Sequence, residues 1–167
     1  MRRTILSLLC LLALSGGRAS AGDATALPKH YTPAVLEDLF RTGTAAPIPA
    51  GKYAGKVVWV DEALLPRVRG KMQGVVWKGK HFSEDGNFTN RFPGGFEALP
   101  SSGRMEASWV DGQPAYVLDY PPDYPLFGKN RDEMRQIADG VWLGRVWKRG
   151  CEPKVASWFL LTLQCGK

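Results

Sequence analysis

The densest group of reactive side chains is Asn130-Arg131-Asp132-Glu133-Met134-Arg135, where four of six residues are charged. Alternation along a strand puts Arg131, Glu133 and Arg135 on one side and Asp132 and Met134 on the other, so each side carries an acid. The strand expected next brings Arg145 between Leu143 and Trp147. Two readings of these arginines stand side by side. Arg145 can form a cross-strand ion pair with Glu133 or Asp132, or Arg145 or Arg135 can sit inside a cavity and hold a ligand carboxylate by a two-pronged hydrogen bond. Asp119 shares a side with Val117 and Ala115 and is either a buried partner for one of these arginines or a strand-end residue that reaches water. A carboxyl group enclosed by apolar walls has its pKa raised toward the range useful for proton transfer. Asp119, Asp132 and Glu133 are therefore the candidate general acids or bases if the chain is an enzyme.

Other chemistries find no support in the residue pattern. His30 lies in the lead-in to the domain and His81 at a strand end beside Lys80, and neither has neighbours at metal-ligand or triad spacing. G-x-S-x-G, H-E-x-x-H and C-x-x-C motifs do not occur, and the glycines are dispersed as turn residues, so no metal or cofactor is expected. Aromatic residues are prominent instead: Tyr53, Trp59, Trp77, Trp109, Tyr116, Tyr120, Trp142, Trp147 and Trp158 all fall in expected strands. Such residues fill cores or line rigid apolar cavities. On the cavity reading, the ligand-binding set is Tyr53, Trp59, Trp77 and Trp142 with Asp119, Arg135 and Arg145.

The elements that must position these residues follow from the periodicity. Thr32 caps a helix over residues 33–42, Pro33 suits its first position, and Val35, Leu36, Leu39 and Phe40 recur on one face. Residues 44–50 hold two prolines and read as a linker. From Gly51 the period changes to two, with Tyr53, Val57 and Trp59 on one side. A short helix is expected over residues 61–69, then strands over 71–82 and 87–92, a break at Pro93-Gly94-Gly95, a hairpin of 104–110 and 113–120 about Asp111-Gly112, a hairpin of 130–137 and 141–148, and a last strand over 155–165. The chain is thus mainly β, an antiparallel meander of about eight strands after one helix. Closure into a barrel is preferred to a sandwich because it removes exposed edges.

The ends of the chain point to export. Arg2 and Arg3, an apolar run from Ile5 to Leu14 and Ala19-Ser20-Ala21 form a secretory signal cleaved before Gly22. The apolar run is about half of the roughly 20 residues needed to span a bilayer, and no later segment is longer. The expected organisation is a signal over 1–21, a lead-in with the helix over 22–50, and a β-barrel domain over 51–167, in a periplasmic or secreted protein. Cleavage removes three arginines and no acid, so 22 basic against 16 acidic residues becomes 19 against 16, a mature net charge of +3. The remaining cations alternate along strands without forming a basic run, which does not fit a nucleic-acid partner. Cys151 and Cys165 remain as a pair in an oxidising compartment, but about ten residues of straight strand would set them roughly 30 Å apart, against the 7 Å or so that a disulfide tolerates. They are expected not to bond.

Gly51-Lys52-Tyr53-Ala54-Gly55 resembles the first-strand Gly-x-Trp-x-Gly pattern of an uncharacterised bacterial protein family, with Tyr53 in the Trp position; a Gly-x-Trp also opens many lipocalins. Arg104-Met105, Val117-Leu118-Asp119-Tyr120, Arg131-Asp132, Val141-Trp142-Leu143-Gly144 and Trp158-Phe159-Leu160-Leu161 follow in the order of that family's C-terminal part. The resemblance spans residues 36–163, and a helical segment after the first strand is shared with fatty-acid-binding proteins. It implies a calycin-like barrel that holds an apolar ligand. The leading expectation is accordingly an exported barrel for a small hydrophobic or amphipathic molecule, with an enzyme on the same scaffold and a non-catalytic module of the cell envelope as alternatives. Edman sequencing of mature protein from the exporting cell is expected to begin at Gly22; a chain that still carries Met1 would remove the export argument.

Overall fold

Helix α1 (Pro33–Thr42) begins where the side-chain oxygen of Thr32 accepts a hydrogen bond from the backbone N–H of Val35 at 3.3 Å, with Pro33 in the first turn. It ends where the Gly43 N–H donates to the Phe40 carbonyl. Leu36 and Phe40, one turn apart, are fully buried. Each such side chain contributes about 1.5–3 kcal/mol through burial, so α1 is held by what it packs on. The computed structural model describes residues 30–62, 77–124 and 127–164.

The other described residues form eight antiparallel strands: β1 (Gly51–Val60), β2 (Gly79–Phe82), β3 (Asn87–Arg91), β4 (Glu97–Ala107), β5 (Pro114–Asp119), β6 (Asn130–Ala138), β7 (Val141–Lys148) and β8 (Lys154–Leu163). Each pairs with the next, and β1 pairs with β8 from Tyr53↔Leu163 to Val60↔Ser157, which closes the sheet into a barrel. The closed eight-stranded meander and helix α1 agree with the periodicity. Most of the expected short helix and of the first part of the strand over 71–82 lie outside the described residues, as does Cys165; Cys151 is a free, exposed thiol. No helix of the described residues is long and apolar enough to cross a membrane.

Several local expectations are corrected. The alternation that would place Trp59 with Tyr53 breaks at a bulge between Val57 and Trp59, so Tyr53 joins the interior cluster and Trp59 packs with the outer one. Trp77 precedes β2 instead of lying within it. β4 begins at Glu97 and stops at Ala107, leaving Trp109 in a loop. The Asp111-Gly112 connection is a six-residue loop over 108–113 and not a two-residue turn. Residues 44–50 are more than a linker: Thr44 exchanges backbone hydrogen bonds with Gln136, and Ile48 is buried in the barrel interior.

Two apolar clusters divide the molecule. The interior one holds Tyr53, Phe82, Phe88, Tyr116, Leu118, Met134, Trp142, Phe159 and Leu161. The outer one packs Leu36 and Phe40 of α1 on Ala115, Leu143, Trp158 and Leu160. Large rings fit inside because three strand glycines lie beneath them. A Cβ added at Gly55 would come within 2.4 Å of the Trp77 ring, at Gly103 within 2.6 Å of Tyr116, and at Gly144 within 2.1 Å of Phe159. Gly144→Ala is expected to lower the unfolding free energy by about 1–3 kcal/mol through overpacking, read by urea denaturation. An unchanged midpoint would mean that Phe159 does not rest on Gly144.

Candidate functional site

On β6 the alternation holds as expected, with Asp132 and Met134 facing the interior and Arg131, Glu133 and Arg135 facing out. The outward acid is fully committed. Glu133 accepts from the Ser108 hydroxyl at 2.6 Å, the Trp109 backbone N–H at 2.9 Å and Arg131 Nε at 2.8 Å. Arg135 donates to both carboxylate oxygens of Asp111 at 2.8 Å and to the carbonyls of Pro114, Gln113 and Phe40. Those five bonds use all five guanidinium donors. Together they pin the 108–113 loop and α1 to the outside of the barrel.

The other outward residues also find protein partners. Arg145 lies opposite Glu133 in the β6–β7 register, but its ion pair is with Glu37 of α1, at 3.6 Å, and its guanidinium lies between the rings of Trp147 and Trp158. Burial lowers its pKa from the ordinary arginine value. Asp119 pairs with Arg104 at 2.6 Å and with Arg149. Burial pushes its carboxyl up, but the hydrogen bonds from Arg149 and Arg104 outweigh this and hold it below the usual range. Of the seven residues singled out as ligand-binding, Tyr53, Trp77 and Trp142 pack in or against the interior cluster. Trp59, Asp119, Arg135 and Arg145 lie on the outside.

The interior has its own polar centre. Lys80 on β2 is 1% exposed, Asn90 opposite it on β3 is fully buried, and Tyr120 and Asp132 are 4% and 3% exposed. Lys80 Nζ donates to the Tyr120 hydroxyl at 2.5 Å and to Asn90 Oδ1 at 3.0 Å, and lies 3.6 Å from Asp132 Oδ2. Tyr120 in turn donates to Asp132 Oδ2 at 2.9 Å, and Trp77 Nε1 donates to Asn90 Oδ1 at 3.1 Å. The ammonium stands 4.6–5.8 Å from the centres of the Phe88, Tyr120, Trp77 and Phe159 rings, an aromatic cage of the kind that favours a cation.

Both donors to Asn90 Oδ1 can only donate, so the amide orientation is fixed by the network. Among the described residues Asn90 Nδ2 has no partner for its buried donor, and neither does Asp132 Oδ1 for its lone pairs. Burial lowers the Lys80 pKa to about 8 against the pull of Asp132. Burial also raises that of Asp132, which Lys80 only partly offsets, and lifts the Tyr120 phenol well above its ordinary value. Tyr120 is the one member of this centre that reaches a cleft. The cleft, of about 790 Å³ at the barrel end, is also lined by Asn87, Ser101, Ser102, Asp119, Pro121, Pro122 and Arg149.

Lys80 and Asn90 are absent from the sequence-derived set, although a signal for them exists. In Gly79-Lys80-His81-Phe82 and Asn87-Phe88-Thr89-Asn90 the alternation that points Phe82 and Phe88 inward takes Lys80 and Asn90 with them.

No protein-family model matches the chain, and no curated protein matches it. A crystal structure of a protein from Thermomonospora curvata is similar to it with a TM-score of 0.58, over 81% of this chain and 90% of that one, at 22% identity. The likeness is one of fold.

Buried Asp132 makes stability depend on pH in a defined direction. The folded-state pKa of Asp132 lies above its unfolded value, so its contribution is fully present below the unfolded pKa and is lost as pH rises through the folded one. Lys80→Met removes the opposing charge and raises that folded pKa further. The variant is expected to lose about 3–5 kcal/mol at neutral pH, with the deficit shrinking as pH falls toward the ordinary carboxylate range, and Lys80→Met/Asp132→Leu is expected to recover much of it. Denaturant titrations from neutral to acid pH check this; a deficit independent of pH would mean that Asp132 is not desolvated.

Proposed function

We propose that the protein is an exported barrel that binds a small amphipathic molecule, with the ligand's polar end at the Lys80–Asn90–Tyr120–Asp132 centre. The observation that carries this reading is that two of the four buried polar atoms without a partner among the described residues, Asn90 Nδ2 and Asp132 Oδ1, belong to the two side chains whose other oxygens face the caged Lys80 ammonium. A buried polar atom without a partner costs about 1–3 kcal/mol. A ligand group offering both an acceptor and a donor would remove that cost at both atoms.

The interior beyond the centre is occupied by Tyr53, Phe82, Tyr116 and Trp142. The ligand's apolar part therefore lies along the cleft beside Tyr120 instead of down the barrel axis. Arg135 has no donor to offer, and Arg145 lies on the outer side with Glu37, Trp147 and Trp158, which moves the anchoring role from the outer arginines to Lys80. Membership of the calycin-like Gly-x-Trp-x-Gly family is part of the same proposal. The closed meander and the place of Gly55 beneath the Trp77 ring support it. Export rests on the signal-like residues 1–21. The enzyme alternative draws support from one observation: Asp132 is buried without an arginine partner and its pKa is raised.

Titration of the delipidated protein with decanamide, whose head offers both an acceptor and a donor, and with methyl decanoate, whose head offers only acceptors, followed by tryptophan fluorescence, tests the reading. Decanamide is expected to saturate, and methyl decanoate to bind about tenfold or more weakly because it leaves Asp132 Oδ1 without a donor. A flat response to both ligands by folded protein would overturn the proposal and favour the envelope module.

A further inference from the structure

We infer that the interior centre takes carbonyl compounds and holds them covalently, as a reversible imine on Lys80. The inference rests on the ligand-binding reading above and names the class of ligand. Three features of the geometry carry it. The amine nitrogen is enclosed by four aromatic rings and excluded from water. The Tyr120 hydroxyl bridges it to Asp132, accepting from Lys80 at 2.5 Å and donating to the carboxylate at 2.9 Å. Asn90 Nδ2, a buried donor without a partner, sits on the side chain whose carbonyl oxygen already holds the amine. A nucleophile, a proton relay and a donor for an oxygen atom are thus assembled at one point.

The chemistry balances without any co-reactant. One ammonium proton passes from Lys80 through the Tyr120 hydroxyl to Asp132, leaving a free amine and a neutral carboxylic acid. The nitrogen lone pair adds to the carbonyl carbon, and an amine proton moves to the former carbonyl oxygen, which Asn90 Nδ2 holds by a hydrogen bond. Asp132 returns its proton through Tyr120 to that hydroxyl, which leaves as water as the carbon–nitrogen double bond forms. The product is a protonated imine beside the Asp132 carboxylate, and nothing is oxidised or reduced. The lowering of the Lys80 pKa to about 8 supplies free amine near neutral pH, where an ordinary lysine is almost wholly protonated.

The test uses decanal as probe and decanol as its counterpart without a carbonyl. The protein is incubated with decanal at pH 7.5, reduced with borohydride and digested, and the site of any decyl adduct is mapped by mass spectrometry. Modification at Lys80 in preference to the exposed Lys52, Lys56 and Lys154 is expected. Competition by decanol is expected as well, together with a trapping rate about 10²-fold lower in Tyr120→Phe, the loss typical of a missing acid–base group. Because the mapping is made on the unaltered protein, the result does not depend on any variant folding. Saturable decanol binding with adducts spread over the exposed lysines would overturn the imine while leaving the binding reading intact. Absence of binding by both compounds would overturn both.

Discussion

An eight-stranded barrel encloses a space just wide enough for its own side chains, and each inward position must be filled by an apolar group or joined to a polar partner. Here the rings of Trp77, Tyr116 and Phe159 are larger than ordinary pairing positions accept, and Gly55, Gly103 and Gly144 make room for them. Burial of the polar groups follows from the same narrowness. Lys80 and Asn90 alternate with Phe82 and Phe88, so a register that turns the phenylalanines inward takes the amine and the amide too. Once inside, they bond with each other, Tyr120, Asp132 and Trp77.

The outer surface of the same strands works by a different rule. Glu133 and Arg135 alternate with Asp132 and Met134 on one strand, yet they serve as fasteners: they tie down the 108–113 loop and the end of α1. The two faces of β6 therefore divide the labour. On one, Glu133 and Arg135 spend their hydrogen bonds on the loop and helix they fasten; on the other, Asp132 keeps an oxygen without a partner among the described residues. A partnerless buried atom does not mark a site by itself, since Arg145 Nε on the outer side has none either; what sets Asp132 apart is its place inside the barrel beside Lys80 and Tyr120.

Much of the architecture was legible because it depends on local patterns. The Thr32-Pro33 start of α1, the hairpin of β6 and β7, and the split of Asp132 from Glu133 all follow from a few neighbouring residues. What was not legible depends on partners distant in sequence. The bulge that turns Trp59 outward is set by the β1–β8 register. The length of the 108–113 loop is set by Glu133 and Arg135, which reach it from β6. The arginines drew attention because their charge is conspicuous, whereas Lys80 beside His81 reads as an ordinary surface lysine until the barrel closes over it.

The pairing of β1 with β8 also governs when this molecule can fold. Tyr53 bonds near Leu163, and the face that receives Leu36 and Phe40 is built from Ala115, Leu143, Trp158 and Leu160. The first helix made is therefore among the last elements able to dock. The strand that opens the sheet keeps one edge bare until nearly the whole chain is present. Contacts of such long sequence separation carry a large loop-closure cost before they return any stability, so a slow, late closing step is built into the topology. The hazard of this design lies in the interval when β1 offers an unpaired edge to other chains.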